Sequence, residues 1–196
     1  MGLDRDESLL RIGREEYAGI ANLRFESGDL LSLTDESRFD IVSAARVLQW
    51  IREPSFTALV RALKPGGRLV ALDYNHEDNA WDPDPPAEFR RFYQAFLDWR
   101  RANGWDNRMA GRLAALFASA GLSDIEVHVD DEIACRGEAG FNEASTIWTY
   151  VIQSIGPRFL GEAELALVAE SYSTWSATAL HKQTLVLRTV EGIRLM

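Results

Sequence analysis

Charged and amide side chains recur in this chain directly after short apolar runs. The sites are Gly2-Leu3-Asp4-Arg5, Gly28-Asp29-Leu30, Ala45-Arg46 with Gln49-Trp50, and Asp73-Tyr74-Asn75-His76-Glu77-Asp78. Open α/β sheets bind ligands beyond the carboxyl ends of their strands, so these are the places to look for chemistry. An ionised carboxylate only accepts hydrogen bonds. Asp4 suits the two hydroxyls of a ribose, and Asp29 suits the amino group of an adenine with Leu30 against the ring. His76 and Glu77, just past a strand end, are the candidates for handling a proton.

Each of these residues also has a plainer reading. Asp4 can favour the start of a helix through the helix dipole. Asp29 can form a turn after glycine, and Arg46 can pair on the surface. His76, His128 and His181 are scattered, and no histidine–carboxylate spacing suggests a metal site. No G-x-S-x-G elbow supports a hydrolase. Cys135 is the single cysteine, so there is no disulfide framework; it reads as a buried or strand residue.

The elements that must position these residues follow from periodicity. Asp6 can cap a helix turning Leu9, Leu10, Gly13 and Tyr17 inward. Residues 22–26 alternate Leu23 and Phe25 inward as a short strand. Residues 40–45 are a small-apolar run, as expected of a strand covered on both faces. A loop leads to Phe56, Leu59, Val60 and Leu63, the stripe of a helix packed on the sheet. Pro65 stops that helix, Gly66-Gly67 permit a tight reversal, and residues 69–72 form the next buried strand. These pieces make one βαβ unit.

Residues 75–86 are polar and proline-rich and read as a loop. Four helical stripes follow: Phe89 to Leu97, Met109 to Ala120 closed by Gly121, Phe141 to Ile155, and Leu165 to Trp175. Ile125, Val127 and Val129 alternate as a strand, and residues 185–190 form a terminal one. Arg90-Arg91 and Arg100-Arg101 read as the solvated face of a helix. Alternating strands and helices imply an α/β, Rossmann-like, mostly parallel sheet with helices on both faces, in one domain over residues 1–196.

The order GLD, GDL, FDIVSAARVLQW and LKPGGRLVALDY resembles a class I, S-adenosylmethionine-dependent methyltransferase acting on small molecules. Motif-level agreement covers roughly the first 75 residues. The resemblance implies S-adenosyl-L-methionine as cofactor. Asp4, with Arg5 beside it, would hold its ribose; Gly28, Asp29 and Leu30 would take the adenine; Ala45 and Arg46 would line the methionine end, supported by Gln49 and Trp50. Catalysis is then mainly in-line positioning and exclusion of water. Aromatic residues after the fourth strand, with Tyr74, Trp81, Tyr93 and Trp148 foremost, are candidates for a lid over the acceptor; aromatic stripes at helical spacing are mostly core.

The family's first strand, central in its sheet, ends in a G-x-G-x-G-like loop, and no such element occurs here. The expectation is therefore an N-terminally truncated fold that lacks the first strand and most of the second. Such a chain would be a fragment whose exposed sheet edge promotes self-association. Two other functions compete. A non-catalytic or partner-dependent module would pair through that edge. A nucleotide-dependent oxidoreductase would share the acidic residue after the second strand but leaves GDL and LKPGG unexplained.

Bulk properties narrow the partners. The 196 residues suffice for one sizeable core, and 46% apolar with 26% charged content is ordinary for a globular protein. A net charge of −9 with scattered basic residues argues against nucleic acid. No apolar run reaches membrane-spanning length, and the first residues lack signal-peptide character. The expected setting is the cytoplasm, and the expected partner a small-molecule acceptor.

Overall fold

The structure, a computed structural model, describes residues 1–51 and 56–195. The first half runs β1 (Gly2–Asp4), α1 (Glu7–Glu16), β2 (Phe25–Ser27), β3 (Phe39–Ala45), α2 (Phe56–Ala62) and β4 (Leu63–Tyr74). The second half runs β5 (Ala80–Asp82), α3 (Ala87–Ala102), α4 (Met109–Ser119), β6 (Leu122–Val129), β7 (Glu132–Cys135), α5 (Phe141–Ser154), α6 (Glu162–Thr178), β8 (Lys182–Leu185) and β9 (Leu187–Arg194). The architecture is α/β and Rossmann-like. Its strands form sheets ordered β1-β2, β3-β4-β9-β6 and β5-β8-β7. β1 pairs parallel with β2, and β3 with β4; β9 lies antiparallel between β4 and β6.

The βαβ unit forms as its sequence dictates. Phe56, Leu59 and Leu63 are buried, so α2 lays its stripe on the sheet. The loop expected before it runs partly through residues 52–55, outside the described residues. Helix passes directly into strand at Leu63, and Pro65-Gly66-Gly67 falls where the β3–β4 register jumps from Phe39↔Leu63 to Ile41↔Arg68. Gly66 takes φ +76°, open to glycine at little cost. A Cβ on Gly67 would lie 2.8 Å from the Lys64 carbonyl oxygen and 3.1 Å from that of Asp40, so only glycine lets the backbones approach this closely.

Register assigns the faces. Ala44, Leu69, Ala71 and Val190 share one face, and α2 and α4 cover it, with Phe56 and Phe117 edge to face at 5.6 Å. The opposite face carries Ile41, Ser43, Val70 and Glu191. Ile41 is 64% exposed there, so β3 is not covered on both faces as its composition suggested. An apolar run reports what a strand is built to meet, and here one side of β3 is left uncovered by the described residues.

The second core lies beyond the carboxyl end of β4. Phe89, Phe92 and Phe96 of α3 pack with Trp148 of α5 and with Tyr172 and Trp175 of α6, against Tyr74 and Leu187. The Phe89 and Tyr172 rings are 4.6 Å apart. The segment read as a loop contains β5, which pairs with β8; a strand this short owes its existence to its partner rather than to propensity. The terminal strand breaks at Val186 into β8 and β9, which belong to different sheets. In α1 only Leu10 is buried, while Leu9 and Tyr17 are exposed; Val127 and Val129 of β6 are exposed as well. Arg100, read as a solvated cation, is fully buried. It follows Phe96 by four residues, on the stripe that faces the core.

The four strand ends are divided between two sheets. β1 and β2 form their own pair, and among the described residues neither β1 nor β3 has a strand partner on its second edge. Gly28 packs tightly, since a Cβ there would meet Leu3 Cδ1 at 2.7 Å.

Candidate functional site

The loops after β3 and β4 meet in a buried polar cluster. After β3 the chain turns through Arg46, whose φ of +60° is uncommon for a residue with a side chain. Its amide is tied to the Leu72 carbonyl at 2.7 Å, which holds the turn. The Arg46 guanidinium pairs with Glu132 and lies 5.4 Å from the Tyr74 ring centre. A tight turn over Leu48–Trp50 then buries Gln49.

Gln49 joins both loops to α3. Its backbone N–H donates to Asp73 Oδ2 at 3.0 Å, and the Tyr74 N–H donates to Asp73 Oδ1 at 2.9 Å. The Asp73 side chain has no solvent contact, and burial pushes its pKa up to about 6 against those hydrogen bonds and the pull of Arg100. Arg100 Nη2 donates to Gln49 Oε1 at 2.9 Å, and Arg100 Nε donates to Asn107 Oδ1 at 2.7 Å. The guanidinium carbon lies 4.1 Å from the Trp50 ring centre, a cation–π contact inside the protein. Burial lowers the Arg100 pKa to about 10, with Asp73 opposing the shift.

His76 completes the cluster. Its Nε2 is 2.6 Å from Gln49 Oε1. Burial, and then the neighbouring Arg100, push its pKa down to about 3, so the ring is neutral at pH 7. Its backbone is held at both ends: the N–H donates to the Asn107 carbonyl at 2.8 Å, and the Tyr93 hydroxyl donates to the His76 carbonyl. The ring stacks on Tyr74 at 5.2 Å and meets Phe96 edge-on at 5.7 Å.

A cavity of about 160 Å³ opens beside this cluster. Arg46, Gln49, Tyr74 and His76 line it from the strand ends, while Trp148 and Phe96 close it from the helices. Its walls are almost wholly apolar. A larger hollow of about 400 Å³ lies against α1 and the loop before β2, lined by Arg14, Tyr17 and Phe25, and brings together none of the strand-end groups.

Of the residues singled out from sequence, Arg46, Gln49, Tyr74, His76 and Trp148 therefore converge on one cavity. Trp81 and Tyr93 stand one layer behind, each packed on Trp148 at 5.9 and 5.1 Å. Glu77 is exposed and turned to Arg101 and Arg108, at 3.4 and 3.7 Å. Asp4, Arg5 and Asp29 are exposed, Ala45 is exposed at the end of β3, and Leu30 is half-buried against the α2–α4 core. Asp4 Oδ1 accepts from the Asp6 N–H and Asp29 Oδ1 from the Leu31 N–H, both at 2.9 Å. Asp6 caps α1 as expected. Sequence reasoning missed Arg100 and Asn107; the stripe position of Arg100 was the available signal.

Comparison with known proteins agrees with this layout. A family model described as a methyltransferase domain matches residues 1–107. The chain is 26% identical over 167 residues to a demethylmenaquinone methyltransferase of Staphylococcus carnosus, covering 74% of this chain and 66% of that one. It is 34% identical over 83 residues to the ubiquinone/menaquinone biosynthesis C-methyltransferase UbiE of Azotobacter vinelandii, covering 39% of this chain and 33% of the relative. The chain thus spans between a third and two thirds of the length of these relatives. Its fold matches that of a Haemonchus contortus phosphoethanolamine N-methyltransferase 2 solved with S-adenosyl-L-methionine. That match has a TM-score of 0.55 at 16% identity and covers all of this chain and 43% of the other. With more than half of its length matched by the family model and its βαβ unit built as that fold requires, this chain belongs to the class I S-adenosylmethionine-dependent methyltransferase family.

Proposed function

We propose that this protein serves the transfer of a methyl group from S-adenosylmethionine to a small, largely apolar acceptor held in the cavity beyond β3 and β4. The observation that carries the reading is the cavity itself: aromatic walls meet a buried polar cluster where two parallel strands end. The relatives named for demethylmenaquinone and ubiquinone/menaquinone biosynthesis point to the same kind of acceptor.

The side chains present fit the adenosine half of the cofactor. Asp4 and Asp29 stand at the ends of adjacent parallel strands, and each has one carboxylate oxygen beyond the one bonded to its own loop. Arg5, Gly28 and Leu30 flank them, and Ala45 and Arg46 follow β3 toward the methionine end. Bound there, the cofactor supplies a methyl group on a positively charged sulfur. Trp148, Phe96 and Tyr74 bind the acceptor by area and exclude water, and Arg46, neutralised by Glu132, lines the same cavity. His76 is the better of the two proton-handling candidates, because Glu77 faces solvent and two arginines. Residues 1–196 belong to one domain, which acts in the cytoplasm without a nucleic-acid partner, in keeping with the net charge of −9. No helix among the described residues is long and apolar enough to cross a membrane.

Calorimetric titration with S-adenosylmethionine, followed by transfer of a labelled methyl group to hydroxylated aromatic acceptors, tests this. Transfer to uncharged aromatics but not to phosphorylated amines is expected. Absence of cofactor binding refutes it.

A second reading rests on Ile41 and on the edges of β1 and β3 that have no strand partner among the described residues. They suit self-association by strand addition. Light scattering would then give a dimer mass for the parent and a monomer mass for Ile41→Lys.

A further inference from the structure

The sheet face opposite α2 and α4 carries a polar cluster that the acceptor cavity does not use. Among the described residues, β6 is an edge strand bonded only to β9. Their register is interrupted between Ser123 and Glu126 and resumes at the pair Glu126↔Glu191. His128 follows Glu126 by two residues and so lies on the same face. His128 Nε2 is 3.1 Å from Glu191 Oε1 and 3.9 Å from Glu126 Oε2. One ligand atom from each of the three residues lies within 4.8 Å of the other two. The other oxygen of Glu191, Oε2, accepts from the Arg68 guanidinium.

Ion pairing accounts for only part of this arrangement. One carboxylate satisfies one imidazole N–H, yet here two carboxylates converge on a single nitrogen. Glu126 and Glu191 also stand directly opposite each other across the strand pair, where like charges repel. Among the described residues, Arg68 is the one arginine or lysine ion-paired with the cluster. With a neutral imidazole, one negative charge is left uncompensated.

We infer that Glu126, His128 and Glu191 form a site for a divalent transition-metal cation of the zinc class, which clips the edge strand β6 to β9 just past the bulge. The ligand atoms are His128 Nε2, Glu191 Oε1 and Glu126 Oε2. Tetrahedral zinc with bonds of about 2.0–2.1 Å sets its ligand atoms about 3.3 Å apart, which small side-chain rotations reach from the separations present. Glu126 and His128 are exposed and Glu191 is half-buried, so water takes the fourth position. Nε2 ligates through a lone pair, and its hydrogen passes to Nδ1 by exchange with solvent, leaving the charge of the ring unchanged. Arg68 orients the Glu191 carboxylate from outside the site. An imidazole among the ligands favours zinc or copper over magnesium or calcium, which take oxygen. Glu191 lies 63 residues beyond His128, so no local spacing announces the set.

Calorimetric titration of the full chain at pH 7, with zinc chloride and then with magnesium chloride, tests this. One zinc per chain is expected, and no magnesium at the same concentrations. His128→Ala should weaken zinc binding roughly tenfold or more, since losing even a residue that only orients a ligand costs on the order of 10–100-fold. Glu126→Gln should weaken it as well. His181→Ala and Cys135→Ser remove other metal-binding side chains and should leave it unchanged. Zinc should raise the thermal unfolding midpoint of the parent but not of His128→Ala. Should His128→Ala fail to fold, His128→Gln keeps a donor for Glu191 while removing the imidazole, and serves the same comparison. Absence of zinc binding overturns the inference. So does binding that survives loss of the His128 imidazole, or binding that is lost in His181→Ala or Cys135→Ser. None of these measurements involves S-adenosylmethionine or the cavity, so the outcome is independent of the function proposed above.

Discussion

Replacing His76 by phenylalanine should change how stability depends on pH, and the change has a definite sign. Unfolded, a histidine titrates near 6.5; in the fold His76 is pushed down to about 3, by burial and then by Arg100. For a base lowered in this way, the unfolded chain binds the extra proton. Its stabilisation is complete above pH 6.5 and is lost as pH falls toward 3. Between pH 7 and pH 5 that loss is about 2 kcal/mol for this one group. Asp73 acts in the opposite sense. Its folded pKa is raised from 3.8 to about 6, chiefly by burial, so the folded state takes the proton first. Over the same interval Asp73 adds about 1 kcal/mol. The parent protein should therefore weaken by about 1 kcal/mol on this account, and His76→Phe should strengthen by about 1 kcal/mol. Contributions common to both proteins cancel in the difference. Urea unfolding at pH 7 and pH 5 reads it directly. Phenylalanine keeps the aromatic contacts with Tyr74 and Phe96, and Gln49 keeps its bond from Arg100. Parallel pH dependences for the two proteins would refute a neutral, buried His76.

Gly67→Ala should cost roughly 1–3 kcal/mol, because the new methyl group meets three carbonyl oxygens rather than movable side chains; thermal unfolding measures it. Asp4→Ala and Asp29→Ala should each weaken S-adenosylmethionine binding roughly tenfold in calorimetry, the scale of a charge-assisted hydrogen bond. Acceptor binding in the cavity should be unchanged, since neither residue lines it. Amides of β1 and β2 should exchange hydrogen roughly two orders of magnitude faster than those of Leu69 and Ala71 in β4. A two-stranded sheet is marginal alone, whereas β4 is paired on both sides. Equal protection of the two regions would count against their separation into two sheets.

How much of this was legible depends on whether the signal was local. The βαβ unit was, because its small-apolar run, its stripe from Phe56 and its Pro-Gly-Gly stop all lie within one stretch of chain. The helices α3, α5 and α6 were legible for the same reason. β5 was not: Ala80–Asp82 has no strand pattern and exists through pairing with Gln183 and its neighbours, a hundred residues on. The exposure of Ile41, Val127 and Val129 was hidden as well, since an apolar residue cannot announce that nothing covers it. The site divides in the same way. His76 and Gln49 were found from their place after strand ends. Arg100 was misread because two adjacent arginines suggest solvent. The helical count from Phe89 through Phe96 to position 100 carried the opposite message, and position outweighed residue type.

Charge balance explains why the polar cluster can be buried at all, and what it demands of a ligand. Among the described residues it holds at pH 7 one cation, Arg100, and one anion, Asp73, and so long as His76 stays neutral the pair is compensated. A proton on His76 would place a second cation beside Arg100 in a region of low dielectric. The same arithmetic disfavours a charged acceptor in the cavity, because Arg46 is already paired with Glu132 and Arg100 is committed to Gln49 and Asn107. The side chains proposed to face the acceptor are therefore already held by hydrogen bonds within the protein. Asp4 and Asp29, the carboxylates proposed for the cofactor, follow instead the strands of the two-stranded β1–β2 sheet, joined to the rest by loops and by the packing of Leu30. Ordering that unit opposes cofactor binding, whereas the acceptor cavity has no comparable cost. Affinity in this chain should thus be limited on the cofactor side. Anything that pairs with the edges of β1 and β3 left without a strand partner among the described residues should tighten S-adenosylmethionine binding while leaving phenol binding unchanged.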